Sequence, residues 1–129
     1  MRGAKKKKIL IVDDEVFLVR ALKDRLVLEG FSVISAADGE DGLKKAFADN
    51  PDLILLDLVM PKMDGITMLK KLRADERGGR VPVVVLSNMS NAQSMDESLA
   101  SGAQEFLVKV NNSLDDVARI VRRVTGGGS

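Results

Sequence analysis

Five short apolar runs, each separated from the next by a stretch with helical spacing, constrain the fold of this chain more than any other feature. The runs are Ile9 to Val12, Phe31 to Ser35, Leu53 to Leu56, Val81 to Leu86 and Phe106 to Val108. Each is nearly continuous in apolar residues, the pattern of strands buried on both faces of a parallel sheet. In the first intervening stretch, Leu18, Val19, Leu22 and Leu26 share one helical face, and Gly30 supplies the C-terminal stop. Leu43, Ala46 and Phe47 mark a second helix ending near Asn50-Pro51, because the residue before a proline avoids helical angles. Ile66, Leu69 and Leu72 mark a third. Ala92, Met95 and Leu99 mark a fourth, with a thin apolar stripe and a capping box at Ser90 and Gln93. Leu114, Val117, Val121 and Val124 mark a fifth, with Ser113 and Asp116 as its capping pair. This alternation predicts an α/β fold with helices on both faces of one parallel sheet. In such folds the ligand sits beyond the carboxyl ends of the strands.

Composition narrows the chemistry available at that edge. The chain of 129 residues has no cysteine and no histidine, so thiolate or imidazole metal sites, thiol nucleophiles and His-based triads are excluded. Any reaction runs on carboxylates, hydroxyls and lysines. A phosphoryl group, if one is handled, must come from another molecule, since there is no histidine to carry it. The net charge of +1 provides no field favouring nucleic acid, and no apolar run approaches the roughly 18 residues of a membrane span. No direct nucleic-acid or membrane binding is expected, and a cytoplasmic location is. A basic arm is expected over 1–7, one globular domain over 8–124 and a flexible Gly/Ser tail over 125–129.

The residues that close the apolar runs are Asp13 and Asp14, Asp57, Ser87 and Lys109. Three carboxylates crowded together resist ionising unless a cation neutralises them. Mg²⁺ suits them, because it prefers carboxylate, water and phosphate oxygens. One carboxylate can then act as nucleophile toward a phosphoryl donor, with Lys109 neutralising charge and Ser87 hydrogen-bonding the phosphate. Taken singly, these residues have plainer readings: Asp14 as a helix cap, Ser87 as a strand-end hydroxyl, Lys109 as a solvated charge, Phe106 as core. Asp38 and Asp64 read as caps of the second and third helices. It is the joint placement at strand ends that points to one site.

Four segments carry a resemblance to a known family. Ile9-Leu-Ile-Val-Asp-Asp-Glu15, Leu55-Leu-Asp-Leu-Val-Met-Pro-Lys-Met-Asp-Gly65, Val84-Val-Leu-Ser87 and Gly102-Ala-Gln-Glu-Phe-Leu-Val-Lys109 resemble the signature blocks of receiver domains of bacterial two-component response regulators, in the same order and spacing from about Lys7 to Val124. The resemblance implies a single doubly wound five-stranded parallel sheet of order 2-1-3-4-5, a flavodoxin-like three-layer sandwich. It implies Asp57 as phosphoacceptor, and Mg²⁺ held by Asp14, Asp57 and the Val59 carbonyl, with Asp13 acting through water. Lys109 would pair with the phosphoryl group, and Ser87 with Phe106 would form a switch that remodels the face of the fourth helix, fifth strand and fifth helix. The implied partners are a sensor histidine kinase or phosphotransfer protein upstream and a protein docking on that face downstream. Val59 and Met89 would flank the phosphoryl group and set its lifetime.

One departure matters: the family usually has proline, often in a cis bond, after the lysine, and here Val110 stands there. A cis bond before valine costs about 3–4 kcal/mol, so a trans bond is expected. Two other classes share part of the pattern. A dehalogenase-type phosphatase also uses an aspartyl nucleophile, but Leu58 and Val59 follow Asp57 where that family has its second acid. A receiver-fold binding module that is never phosphorylated would have no need of the full set of Asp13, Asp14, Asp57, Ser87 and Lys109.

Overall fold

The computed structural model describes residues 6–89 and 91–128. Its elements run β1 (Lys8–Val12), α1 (Val16–Leu28), β2 (Ser32–Ala36), α2 (Gly39–Asp49), β3 (Leu53–Leu56), α3 (Gly65–Ala74), β4 (Val83–Ser87), α4 (Ala92–Ala100), β5 (Glu105–Val108) and α5 (Leu114–Thr125). The strands pair in parallel in the order β2-β1-β3-β4-β5. The α/β architecture and its 2-1-3-4-5 sheet are thus those expected.

Parallel strands alternate their side chains between two helical layers, and each layer closes its own core. Leu10, Val12, Ile54, Leu56, Val83 and Val85 pack with Ala46 of α2 and Met68, Leu69 and Leu72 of α3. Ile9, Ile11, Leu53, Leu55, Val84 and Leu86 pack on the other side with Leu22 and Leu26 of α1 and Val117, Ala118 and Val121 of α5. Every residue of β3 and β4 is buried, whereas the border strands β2 and β5 are largely half-buried.

Helix ends follow local chemistry. At the end of α1, Phe31 N–H donates to the Leu26 carbonyl and Gly30 N–H to that of Val27, with Gly30 at φ 98°, so glycine is needed there and Phe31 belongs to the helix stop rather than to β2. Asn50, at φ 47°, ends α2 before Pro51. β4 begins at Val83, two residues later than the apolar run suggests, because Pro82 has no N–H for the ladder and only its carbonyl takes part, accepting from Ile54. Asp38 and Asp64 cap α2 and α3, and Ser113 with Asp116 forms a full capping box on α5. Gly126, expected to lie in the tail, is the left-handed C-cap of α5.

The fourth helix differs from expectation. Ser90 lies outside the described residues, and the cap is Asn91, whose Oδ1 accepts from Ser94 N–H. Nor does the apolar stripe decide its inner face: Ala92 is exposed, Leu99 is 47% exposed, and the buried residue is Ser98. The Ser98 hydroxyl donates to the Ser94 carbonyl one turn back, so it enters the interior already satisfied.

Candidate functional site

In-register parallel strands bring their carboxyl ends to one edge, and the pairing fixes which residues meet there. Val12 pairs with Leu56, which sets Asp13 beside Asp57 one step later. Asp13 N–H donates to the Ala36 carbonyl and Asp57 N–H to that of Val12, so both acids stand on ladder-held backbone. Ser87 closes β4 opposite Val108, and Lys109 follows immediately. One oxygen from each of Asp13, Asp14 and Asp57 lies within 4.8 Å of the other two.

Asp13 and Asp57 are buried and Asp14 is exposed. The plainer reading of Asp14 fails, because α1 starts after Glu15 with no side-chain cap. Lys109 reaches into the group with its side chain 9% exposed; its Nζ stands 2.9 Å from Asp13 Oδ2 and 3.3 Å from Asp57 Oδ2, and it also pairs with Glu15. Burial alone would push the Lys109 ammonium down, but the hydrogen bonds it donates to Glu15 and Asp13 and the charges of Asp13 and Asp57 together raise it well above the usual lysine range. Burial pushes the Asp13 carboxyl up, against the Glu15 N–H and Lys109 that lower it.

The two buried acids are held unequally. Asp13 accepts from Glu15 N–H at 2.9 Å and from Lys109, whereas Asp57 has Lys109 at 3.3 Å and Val59 N–H at 3.5 Å, the outer limit of a hydrogen bond. Asp57 therefore keeps lone pairs free. It opens on a pocket of about 260 Å³ lined also by Asp14, Glu15, Val59, Ser87, Asn88, Met89 and Lys109. Ser87 is buried, and its Oγ accepts from Met89 N–H at 3.2 Å, leaving its proton free to donate. Val59 and Met89 are exposed at the pocket rim. Phe106 is half-buried against the core layer of α2 and α3.

α3 begins so close beneath the site that only glycine fits at Gly65: a Cβ there would lie 2.3 Å from the Asp57 carbonyl oxygen. Glu15 and Asn88 belong to the site although no motif marks them. Glu15 directly follows the acidic pair, which was the available signal. Asn88 accepts from Val110 N–H at 3.0 Å across 22 residues of sequence, which no local pattern reveals. The described residues contain no cis peptide bond, in keeping with valine at position 110.

This arrangement can bind a hard cation and present a carboxylate to an electrophile beside an ammonium and a hydroxyl. The chain matches the response regulator receiver domain over residues 9–121. It belongs to that family. The receiver is 39% identical over 127 residues to the probable transcriptional regulator ycf27 of Porphyridium aerugineum, covering 96% of this chain and 52% of that protein. It therefore spans about half the length of that relative. Among solved structures, the receiver domain of the Francisella response regulator 1452 superposes with a TM-score of 0.86 at 30% identity, covering 94% of this chain and 98% of that one. A receiver domain from a Pseudomonas aeruginosa sensor histidine kinase, solved with magnesium coordinated in its active-site cleft, gives 0.85 at 28% identity, covering 95% and all of the two chains. No helix among the described residues is long and apolar enough to cross a membrane.

Proposed function

We propose that this receiver is a phosphorylation-activated switch that accepts a phosphoryl group on Asp57. The observation that carries the reading is the unequal holding of the acids: Asp57 faces the pocket with free lone pairs while Lys109 is anchored on Asp13 and Glu15. An Asp57 oxygen attacks phosphorus, the donor's P–N or P–O bond breaks, and the leaving group departs with the bonding electron pair. The product is an acyl phosphate; hydrolysis forms a water P–O bond and returns the Asp57 carboxylate. The donor is a sensor histidine kinase, a phosphotransfer protein or a small phosphodonor.

The acidic cluster fits Mg²⁺. Three carboxylate oxygens within 4.8 Å of one another form the hard-oxygen donor set that Mg²⁺ takes. Asp14, Asp57 and the Val59 carbonyl would hold it, with Asp13 acting through water, and when bound it would neutralise the acids and the incoming phosphoryl oxygens. Lys109 would pair with the phosphoryl group and Ser87 would donate to it. Movement of Ser87 and Phe106 would then shift the α4-β5-α5 face, where a downstream protein docks; α4 suits this, since Ser98 is its one buried residue. Binding of nucleic acid, as the names of transcriptional regulators among the relatives suggest for those proteins, would fall to segments beyond the receiver. The expected location is the cytoplasm.

The test is intact mass after incubation with acetyl phosphate and Mg²⁺. One phosphoryl group per chain supports the reading, and an unchanged mass favours a receiver-fold module that only binds. Amide exchange with beryllofluoride checks the switch, which requires altered exchange in α4 and β5.

The lifetime of the acyl phosphate follows from Val59 and Met89. Their side chains at the pocket rim cannot hydrogen-bond an attacking water, so hydrolysis lacks a positioning group. Val59→Asn with Met89→Glu should speed loss of the phosphoryl group about tenfold, equal to about 1.4 kcal/mol of barrier. Decay followed by intact mass after removal of the donor checks this; unchanged decay means these side chains do not control water.

A further inference from the structure

Beyond the ladder that pairs Ser87 with Val108, the Asn88 side chain ties the loop after β4 to the turn that carries Lys109. Val110 N–H donates to Asn88 Oδ1 at 3.0 Å, and since only the amide oxygen can accept from an N–H, the orientation of Asn88 is fixed. Val110 is 78% exposed, so packing does not hold this residue in place. Its N–H does. On the far side of the turn, Asn112 Nδ2 donates to the Val108 carbonyl at 2.8 Å and Asn112 N–H to that of Lys109 at 3.3 Å. The lysine thus sits on a short 3-10 turn over Lys109–Asn111, pinned at one end from within and at the other by Asn88.

The ammonium needs this restraint. Its nearer partners are Asp13 and Glu15, which draw it away from Asp57. An unrestrained turn would let it settle on those two acids. Asn88 also directly follows Ser87, whose Oγ is engaged by Met89 N–H.

We propose that Asn88 is a positioning residue for Lys109, and that its bridge to Val110 makes Ser87 and Lys109 advance on a phosphoryl group as one unit. The inference rests on Asp57 being the phosphoacceptor. Any shift of Ser87 toward Asp57 carries Asn88 with it, and the bridge passes that shift to the turn bearing Lys109. A proline at position 110 would have no N–H and could not form this link.

The experiment compares initial rates of labelling by acetyl phosphate with saturating Mg²⁺, read by intact mass, in wild type, Asn88→Ala, Asn88→Asp, Val110→Pro and the double variant Asn88→Ala/Val110→Pro. Asn88→Ala should label about fivefold more slowly, the effect of losing one neutral hydrogen bond. Asn88→Asp retains the acceptor oxygen and should label at close to the wild-type rate, a rescue that a merely structural residue would not show. The double variant should be no slower than the slower single, because each change removes the same bridge. A wild-type rate in Asn88→Ala, an equal defect in Asn88→Asp, or multiplying defects in the double variant would each overturn the bridge. Should Val110→Pro fail to fold, the two Asn88 variants decide alone. An unlabelled wild type overturns the Asp57 reading itself, whereas a labelled wild type with an unaffected Asn88→Ala overturns only the role of Asn88.

Discussion

Asp57→Asn should take up no phosphoryl group from acetyl phosphate while its melting temperature stays at or above that of the wild type. The carboxamide oxygen is a poor nucleophile, so the acyl phosphate has nothing to form on. The fold tolerates the change because the asparagine keeps the shape of the side chain and removes one of three neighbouring negative charges. Lys109 remains paired, since Asp13 and Glu15 both hold it. The measurements are intact mass against time with Mg²⁺ saturating and a thermal melt of the same sample. Mass gain at the wild-type rate would remove Asp57 from the mechanism and move attention to Asp14, the exposed acid of the cluster.

Lys109→Met should produce the largest change in stability. Methionine matches the length of the lysine stem and supplies no charge, so Asp13 and Asp57, with side chains 3% and 7% exposed, lose the cation between them. Removing one partner from a buried ion pair costs about 3–5 kcal/mol, because the remaining charge is left desolvated. The dependence on pH has a definite sign. Burial already raises the Asp13 carboxyl above its ordinary value of 3.8, and loss of Lys109 raises it further. A carboxyl raised in the folded state stabilises the fold while protonated, and that stability is lost as pH rises through the raised value. The deficit of Lys109→Met should therefore be small near pH 4 and widen toward neutrality, as read from urea unfolding across that range. Added Mg²⁺ should narrow the deficit at neutral pH. A deficit independent of pH would mean that Lys109 acts through packing of its stem alone.

The fold was legible because each strand is buried by its own residues, and a continuous apolar run says so directly. β3, Leu53–Leu56, matches its run residue for residue. β2 and β4 shift for reasons of hydrogen bonding, one because Phe31 closes the preceding helix and the other because Pro82 lacks a donor. The buried face of α4 departs from its apolar stripe because Ser98 answers its own hydroxyl within the helix, which makes a polar residue behave as a small core residue. The acidic group and Lys109 were visible because strand ends in an α/β fold converge whatever the sequence between them. Glu15 and Asn88 were not, because their partners, Lys109 and Val110, lie far along the chain and are chosen by loop geometry.

The charge balance of the cleft is divided along the chain. The three clustered acids directly follow β1 and β3, which pair with one another, while the lysine that neutralises Asp13 and Asp57 follows β5. β5 is a border strand held to the sheet by β4 alone. Loosening it would withdraw the buried cation and leave two desolvated carboxylates behind. The attachment of the sheet's edge is thereby coupled to the ionic state of the acids at its centre.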